Sequence, residues 1–263
     1  MSRTLGAETR TALVTGASSG IGAATACALG QLGWAVAIGA RRIDRLEEVA
    51  SEVEKAGGRP FAHELDVAQA DSIEDFFAAT ERELGPIDVV VSNAGAAVAG
   101  LLHELRAEDL ESEVTTNLLG PMWVARRALP SMLERRRGDL VFITSLNVVM
   151  PRTFQTGYTA TKSGVEGLAR ALQMELEGTG VRTTIVRPGP TKTEFGWKWD
   201  PGLLKRILES WQHWGVLNHH HYLPAERVAE AVVTAVTAPA GTRLDVIQLN
   251  PEAPSEPIKA RDG

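Results

Sequence analysis

Apolar residues fall along this chain in short unbroken runs: TALVT (11–15), AVAIGA (35–40), DVVVSNAG (88–95), DLVFITS (139–145), RTTIVRPG (182–189) and LDVIQLN (244–250). Runs of this kind, with no polar face, predict strands buried on both sides, as in a parallel sheet covered by helices. RPFAHELDV (59–67) alternates instead and predicts a weaker strand. Between the runs lie helical stretches such as IGAATACALGQLG and IDRLEEVASEVEKAGG, the second closing on glycines as helices often do. Strand and helix alternating in this way predict an α/β fold, a doubly wound parallel sheet of about seven strands with right-handed crossovers. No linker or internal repeat divides the pattern, so residues 1–263 read as one domain. The stretch 251–263, rich in proline and charge, reads as an extended tail.

Composition narrows the function classes. Apolar residues make up 44% of the 263 and charged residues 23%, enough for a substantial core. A net charge of −6, from 27 basic and 33 acidic residues, offers no electrostatic attraction to nucleic acid or to an anionic membrane. No apolar run reaches the roughly 18 residues of a membrane span, and MSRTLGAETR lacks a secretory apolar segment. A soluble cytoplasmic protein is the expectation. Cys27 stands alone, which rules out an intrachain disulfide or a cysteine zinc cage. It sits among small residues and reads as packing.

The first chemical signal is TALVTGASSGIGAATACALG: a strand, a turn holding Gly16, Gly20 and Gly22, then an alanine-rich helix. Glycine permits a sharp turn and close backbone approach, and a helix start favours phosphate. The spacing is G-x-x-x-G-x-G, distinct from the common G-x-G-x-x-G, yet it lies in the first strand–helix unit, where a dinucleotide pyrophosphate belongs. At the end of the second strand an acid would accept from the ribose of NAD, whereas arginine accommodates the 2′-phosphate of NADP. The residues here are Ala40, Arg41 and Arg42, with no acid before Asp44. The arginines could simply solvate a helix start, but positive charge is unfavourable there, and guanidinium matches phosphate in charge and fork geometry. NADP is therefore the expected cofactor, ahead of NAD.

The second signal is YTATK (158–162), with Ser145 thirteen positions upstream. On a helix whose apolar stripe runs through Val165, Leu168, Leu172 and Leu176, the i, i+4 spacing puts Tyr158 and Lys162 on one face. A tyrosine with pKa near ~10 must fall about three units, or ~4 kcal/mol, to act as a base near neutrality. A lysine cation about 4 Å away, at an effective dielectric near 20, supplies roughly that amount, while burial works the other way.

Together these residues resemble the short-chain dehydrogenase/reductases of the compact single-domain kind, over nearly the whole chain. TGASSGIG (15–22) is similar to the family's cofactor turn, LDV (65–67) to its adenine-contacting segment, SNAG (92–95) to its N-N-A-G motif, and TTNLLG (115–120) to its helix asparagine. Ser145, YTATK and RPGPTKT (187–193) match the family's serine, its tyrosine and lysine, and the P-G-x-x-x-T segment beside the nicotinamide. The resemblance implies a Rossmann-like fold and an enzyme that moves hydride between NADP and a carbonyl or alcohol. It assigns Tyr158 as general acid/base, Lys162 as the group that lowers its pKa and holds the nicotinamide ribose, Ser145 as the binder of the substrate oxygen, and Asn117 as anchor of a proton-passing water. For the cofactor it implies Gly16, Ser18, Ser19, Gly20, Ile21, Gly22, Arg41, Arg42, Asp66, Val67, Asn93, Ala94, Gly95, Pro188, Gly189, Thr191 and Thr193. It also implies a homodimer or homotetramer. Two departures stand out: Ser92 replaces the first asparagine of N-N-A-G, and Asn147 and Val148 replace the usual Ala-Gly pair after the serine.

The stretch 194–224 holds four of the six tryptophans, Trp197, Trp199, Trp211 and Trp214. Leu203, Leu204, Ile207, Leu208, Trp211 and Trp214 recur at helical spacing. The stretch reads equally as an amphipathic helix docked on the core and as the family's variable lid over substrate (194–223). As a lid, its tryptophans favour a bulky apolar or aromatic carbonyl compound, with Ser145, Asn147, Gln155, Tyr158 and Trp197 lining the pocket. The run His219, His220, His221 reads as a polar loop or subunit contact; no metal is expected.

Overall fold

The computed structural model describes residues 9–194, 196, 199–216, 219 and 221–253. Five of the six unbroken apolar runs become central strands, whereas LDVIQLN, expected to be buried, ends at the sheet's edge and stays half-exposed. β1 (Thr11–Thr15), β2 (Ala35–Ala40), β4 (Val89–Ser92) and β5 (Gly138–Ile143) are buried at every residue, and β6 (Val181–Pro188) at all but one. The alternating run forms β3 (Arg59–Glu64), which with β7 (Val246–Leu249) makes the two half-exposed edges. All neighbours pair in parallel, in the order β3-β2-β1-β4-β5-β6-β7. The winding direction reverses between β1 and β4, which opens a crevice at their C-terminal ends, the place such sheets bind ligands.

Helices cover both faces. On one lie α1 (Gly20–Gly30), α2 (Ile43–Lys55) and α8 (Ala225–Val236), which bury Leu29, Leu46 and Val232 against Val14, Val36 and Val141. On the other lie α3 (Ala70–Leu84), α5 (Gly120–Glu134) and α6 (Thr156–Glu175), packing Phe76, Phe77, Met132 and Val165 on Leu13, Val90 and Phe142. Each such side chain contributes about 1.5–3 kcal/mol by leaving water. Among the described residues no helix is long and apolar enough to cross a membrane.

Two further helices shape the site. α4 (Ala107–Val114) runs into α5 through a π-helical turn, Thr115–Leu119. Such turns concentrate at functional sites. α7 (Pro201–His213) starts at Asp200, whose side chain accepts from the Leu203 N–H at 3.0 Å, with Pro201 in the first turn. Its apolar face is narrower than the spacing predicts. Ile207 and Trp211 are buried, but Leu204, Leu208 and Trp214 are 38%, 37% and 67% exposed. The apolar contact of the helix with the body is a small cluster around Phe154 and Leu101, supplemented by polar ties from Ser210 and Trp211 to Thr153 and from Arg206 to Glu104.

Candidate active site

The glycine turn and the segments around it lock together at the C-terminal ends of β1 and β4. Gly16 and Gly20 take left-handed φ values of 66° and 55°, which side chains rarely adopt. A Cβ on Gly16 would also lie 2.7 Å from Ala94 Cα. The Asn93 amide donates to the carbonyls of Thr15 and Gly16 at 3.0 and 3.1 Å, and the N–H groups of Asn93 and Ala94 donate to Thr15 Oγ1. Residues 93–95 are thereby fixed beside the turn, with Ser92 buried beneath them in β4. Ile21 packs into the core under α1.

The other cofactor-type positions surround this turn. A Cβ on Gly20 would lie 3.0 Å from Thr193 Cγ2, so the segment after β6 lies across the turn. That segment is tied down by the Gly189 N–H to Leu249 O at 2.7 Å and by Thr191 Oγ1 to Gly189 O at 2.9 Å, directly after Pro188 ends β6. Asp66 and Val67 follow β3, with Val67 buried and Asp66 accepting from the Ala68 N–H. A cleft of about 620 Å³ opens here, lined among others by Ser18, Ser19, Gly20, Arg45, Thr193 and Glu194.

At the end of β2 the two arginines differ. Arg42 donates to Ser18 Oγ at 2.9 Å and Ser19 Oγ at 2.8 Å, and pairs with Glu194 at 2.9 Å. Arg45 holds the other Glu194 oxygen at 3.1 Å. Arg42 keeps that carboxyl below the usual carboxylate range. Two guanidiniums and the Ser19 hydroxyl thus already grip an oxyanion beside the glycine turn, with the Ser18 hydroxyl steadying Arg42. Arg41 is exposed and has no partner among the described residues.

Tyr158 and Lys162 lie in the first two turns of α6, and the Lys162 ammonium stands 5.8 Å from the centre of the Tyr158 ring. Tyr158 hydrogen-bonds Ser145, which follows β5. Lys162 is buried and donates to Ile143 O at 2.9 Å. Asn117, fully buried in the π turn, clamps Ala96 from both sides: its Oδ1 accepts from Ala96 N–H at 2.8 Å and its Nδ2 donates to Ala96 O at 2.7 Å. A Cβ on Gly95 would lie 3.3 Å from Asn117 Oδ1 and 3.4 Å from Lys162 Nζ. Gly95 therefore joins the reaction end to the glycine turn through Ala94. Below, Arg187 pairs with Glu166 at 2.6 Å and Thr144 Oγ1 donates to the same carboxyl, bracing the strand ends that carry Ser145 and Pro188.

One expectation is reversed. Burial pushes the Tyr158 hydroxyl up to about 12, with the Ser145 hydrogen bond and the Arg152 charge only partly opposing it and Glu113 adding to it. Burial also brings Lys162 down to about 8. Both groups lie out of water, and at each of them desolvation outweighs whatever favours the charged form. Glu113 itself went unnoticed in the sequence. It is buried, accepts the Val98 N–H with one oxygen, and leaves the other without a hydrogen-bond partner against Gly157, one residue before the tyrosine. Only its place one helical turn before Asn117 could have drawn attention to it.

The substrate side is partly assembled. Asn147 and Gln155 are buried and bond each other at 2.6 Å, so they form a wall and their polar atoms are engaged. Phe154, between Gln155 and Thr153, has a φ of 65°, a strained conformation for a bulky residue and one that clusters at functional sites. Trp199 donates towards Ala97 O at 3.5 Å. Trp197, His220 and residues 254–263 of the expected tail lie outside the described residues.

Comparison with known proteins identifies the family. The family model described as short chain dehydrogenase matches residues 10–203. A short chain dehydrogenase of Pseudocercospora fijiensis is 36% identical over 190 residues, 71% of this chain and 61% of that protein. A glycine betaine reductase of Emericella nidulans is 33% identical over 95% of this chain, which spans 19% of its length. Among solved structures, an alcohol dehydrogenase from the archaeon Thermococcus sibiricus, complexed with 5-hydroxy-NADP, superposes with a TM-score of 0.79 at 33% identity, covering 94% of this chain and 100% of that one. An actinorhodin polyketide ketoreductase with NADPH does so with a TM-score of 0.80 at 31% identity, covering 92% and 96%. Sequence, sheet order and the serine, tyrosine and lysine at one crevice lead to the same place: the chain belongs to the short chain dehydrogenase family of oxidoreductases.

Proposed function

We propose that this protein is an NADP(H)-dependent oxidoreductase that interconverts a carbonyl and a secondary alcohol on a bulky, apolar or aromatic small molecule, with Tyr158 moving the oxygen-bound proton. The observation that carries the reading is the meeting of Tyr158, Ser145 and Lys162 at the crevice floored by Gly95 and Gly16. The NADP-bound relatives support the choice of cofactor, and so does the Arg42 cluster, which already holds a carboxylate.

The residues present fit the cofactor. Gly16, Ser18, Ser19, Gly20, Ile21 and Gly22 would hold its pyrophosphate, Asp66 and Val67 its adenine, and Arg42, with Arg41 near, its 2′-phosphate. Asn93, Ala94, Gly95, Pro188, Gly189, Thr191 and Thr193 would position the nicotinamide half. Bound NADPH supplies the hydride. Tyr158, pushed up to about 12, is protonated at neutral pH, the state required to give a proton to the carbonyl oxygen as it becomes an alcohol. Ser145 would hold that oxygen while hydrogen-bonded to the phenol. Lys162 would hold the ribose, and Asn117 would anchor a water between Lys162 and solvent, supported by their common approach to Gly95.

The packing of Trp211 on Phe154 and Ile207, which sets the tryptophan-rich stretch 194–224 beside the loop that follows Ser145, supports a bulky substrate. Exposed Met122 and Leu133 on α5 and Met174 on α6 support pairing with a second copy. The test follows NADPH absorbance with a panel of aryl and alkyl ketones. One NADPH consumed per alcohol formed is expected. Product formed without net consumption would point to epimerisation or dehydration in the same pocket, and binding without any product to a regulatory protein.

A further inference from the structure

We propose that Arg152 is an anion subsite of the substrate pocket, so that the preferred substrate is an oxo acid whose carboxylate sits on an apolar or aromatic frame. This deepens the carbonyl-reductase reading and rests on it.

Arg152 lies in the loop after β5, between Ser145 and the start of α6. Its guanidinium stacks over Trp211 of α7, 4.8 Å from the ring centre. The platform is firm: the Trp211 indole N–H donates to Thr153 O at 3.0 Å, and the Thr153 and Ser210 hydroxyls meet at 2.7 Å. The guanidinium is drawn into the protein, and its Nε is buried without a hydrogen-bond partner. It has no ion-pair partner among the described residues. Other arginines drawn inward are matched: Arg10 and Arg182 with Asp139, Arg127 with Glu81, Arg135 with Asp88, Arg187 with Glu166. A desolvated guanidinium without an anion is costly, and its planar fork is the group proteins use for carboxylates.

The position fits a substrate group. The Arg152 charge acts on the hydroxyls of Tyr158 and Tyr222, which places it on the reaction side of the loop. Through Trp211 it adjoins the apolar cluster that Trp211 forms with Phe154 and Ile207. The acid that acts on Tyr158, Glu113, has its ionisation opposed by burial, which weakens repulsion of an entering anion. Stacking on Trp211 alone would dock α7 equally well through an uncharged side chain, and would leave the buried Nε donor unmatched.

The test uses the full chain with NADPH and phenyl-substituted oxo acids carrying the carboxylate one, two or three carbons from the carbonyl, each beside its methyl ester. At least one acid should exceed its ester about tenfold or more in kcat/KM, and Arg152→Met should raise the KM for that acid about tenfold and remove its advantage over the ester, whose KM changes far less. Binding of the same acids, read as quenching of tryptophan fluorescence, should be lost in Arg152→Met and retained in part by Arg152→Lys. Esters as good as acids in the unaltered protein, or a variant that slows acid and ester alike, would overturn the subsite. Acids that bind through Arg152 without any compound consuming NADPH would uphold the subsite and reject the oxidoreductase reading instead.

Discussion

The two ends of the crevice are built on opposite electrostatic plans. At the reaction end Tyr158 and Lys162 are taken out of water, and desolvation drives the phenol up to about 12 and the ammonium down to about 8, both towards their neutral forms. At the far end Arg42 and Glu194 keep side-chain exposures of 47% and 32%, and their pairing is the kind water and salt screen heavily. On the proposed function the buried end would hold protons in place for chemistry. An exposed pairing such as that at the other end costs little to exchange for another oxyanion, which would suit a cofactor that must enter and leave.

The contrast breaks most visibly at the phenol. Tyr158→Phe removes the proposed proton donor and should lower kcat by about 10²–10⁴-fold, measured as carbonyl-dependent NADPH oxidation. Next comes the lysine. Its pKa in the fold, about 8, lies below the ordinary 10.5, so the unfolded chain binds more protons between those values and stability gains as pH rises through that window. Above the ordinary tyrosine value of 10 the raised Tyr158 acts in the opposite sense. Lys162→Met should flatten the pH dependence of denaturant midpoints between about pH 8 and about pH 10, a difference of about 2 kcal/mol. An equal slope in both proteins would place the ammonium in water.

Effects at the exposed end should be smaller and confined to affinity. Arg42→Asp should weaken NADPH binding about 10- to 100-fold by calorimetry and NADH binding far less, the range expected for one or two charge-assisted hydrogen bonds. Arg41→Asp should do less, because Arg41 stands apart from the Ser18 and Ser19 hydroxyls. Glu194→Gln should tighten NADPH by no more than about fivefold, since exposed ion pairs contribute roughly 0–1 kcal/mol. Weaker binding in that variant would show that Glu194 supports the arginine instead of competing for it.

How much could be read beforehand follows the same division between local and distant causes. The sheet was readable because a strand covered on both faces needs an unbroken apolar run, as in AVAIGA and VVVS. The glycine turn and the tyrosine–lysine pair were readable because their geometry is set by fixed short spacings. Glu194 meets Arg42 across 152 residues of chain, and Arg152 faces Trp211 from an irregular loop, so no periodicity announces either contact. The Tyr158 shift escaped for a further reason: spacing reports that an ammonium is near, and only coordinates report how dry the oxygen is. On α7, periodicity identified the helix but overstated its buried face, because Leu204 and Leu208 have nothing among the described core clusters to pack on.

The division of labour itself is best tested by measuring kcat at saturating NADPH and the Kd for NADPH in both Tyr158→Phe and Arg42→Asp. The account predicts that the first loses turnover with its Kd unchanged, and that the second loses affinity with its saturated kcat unchanged. A Tyr158→Phe protein that still turns over, or a Kd and kcat that fall together in both variants, would contradict it.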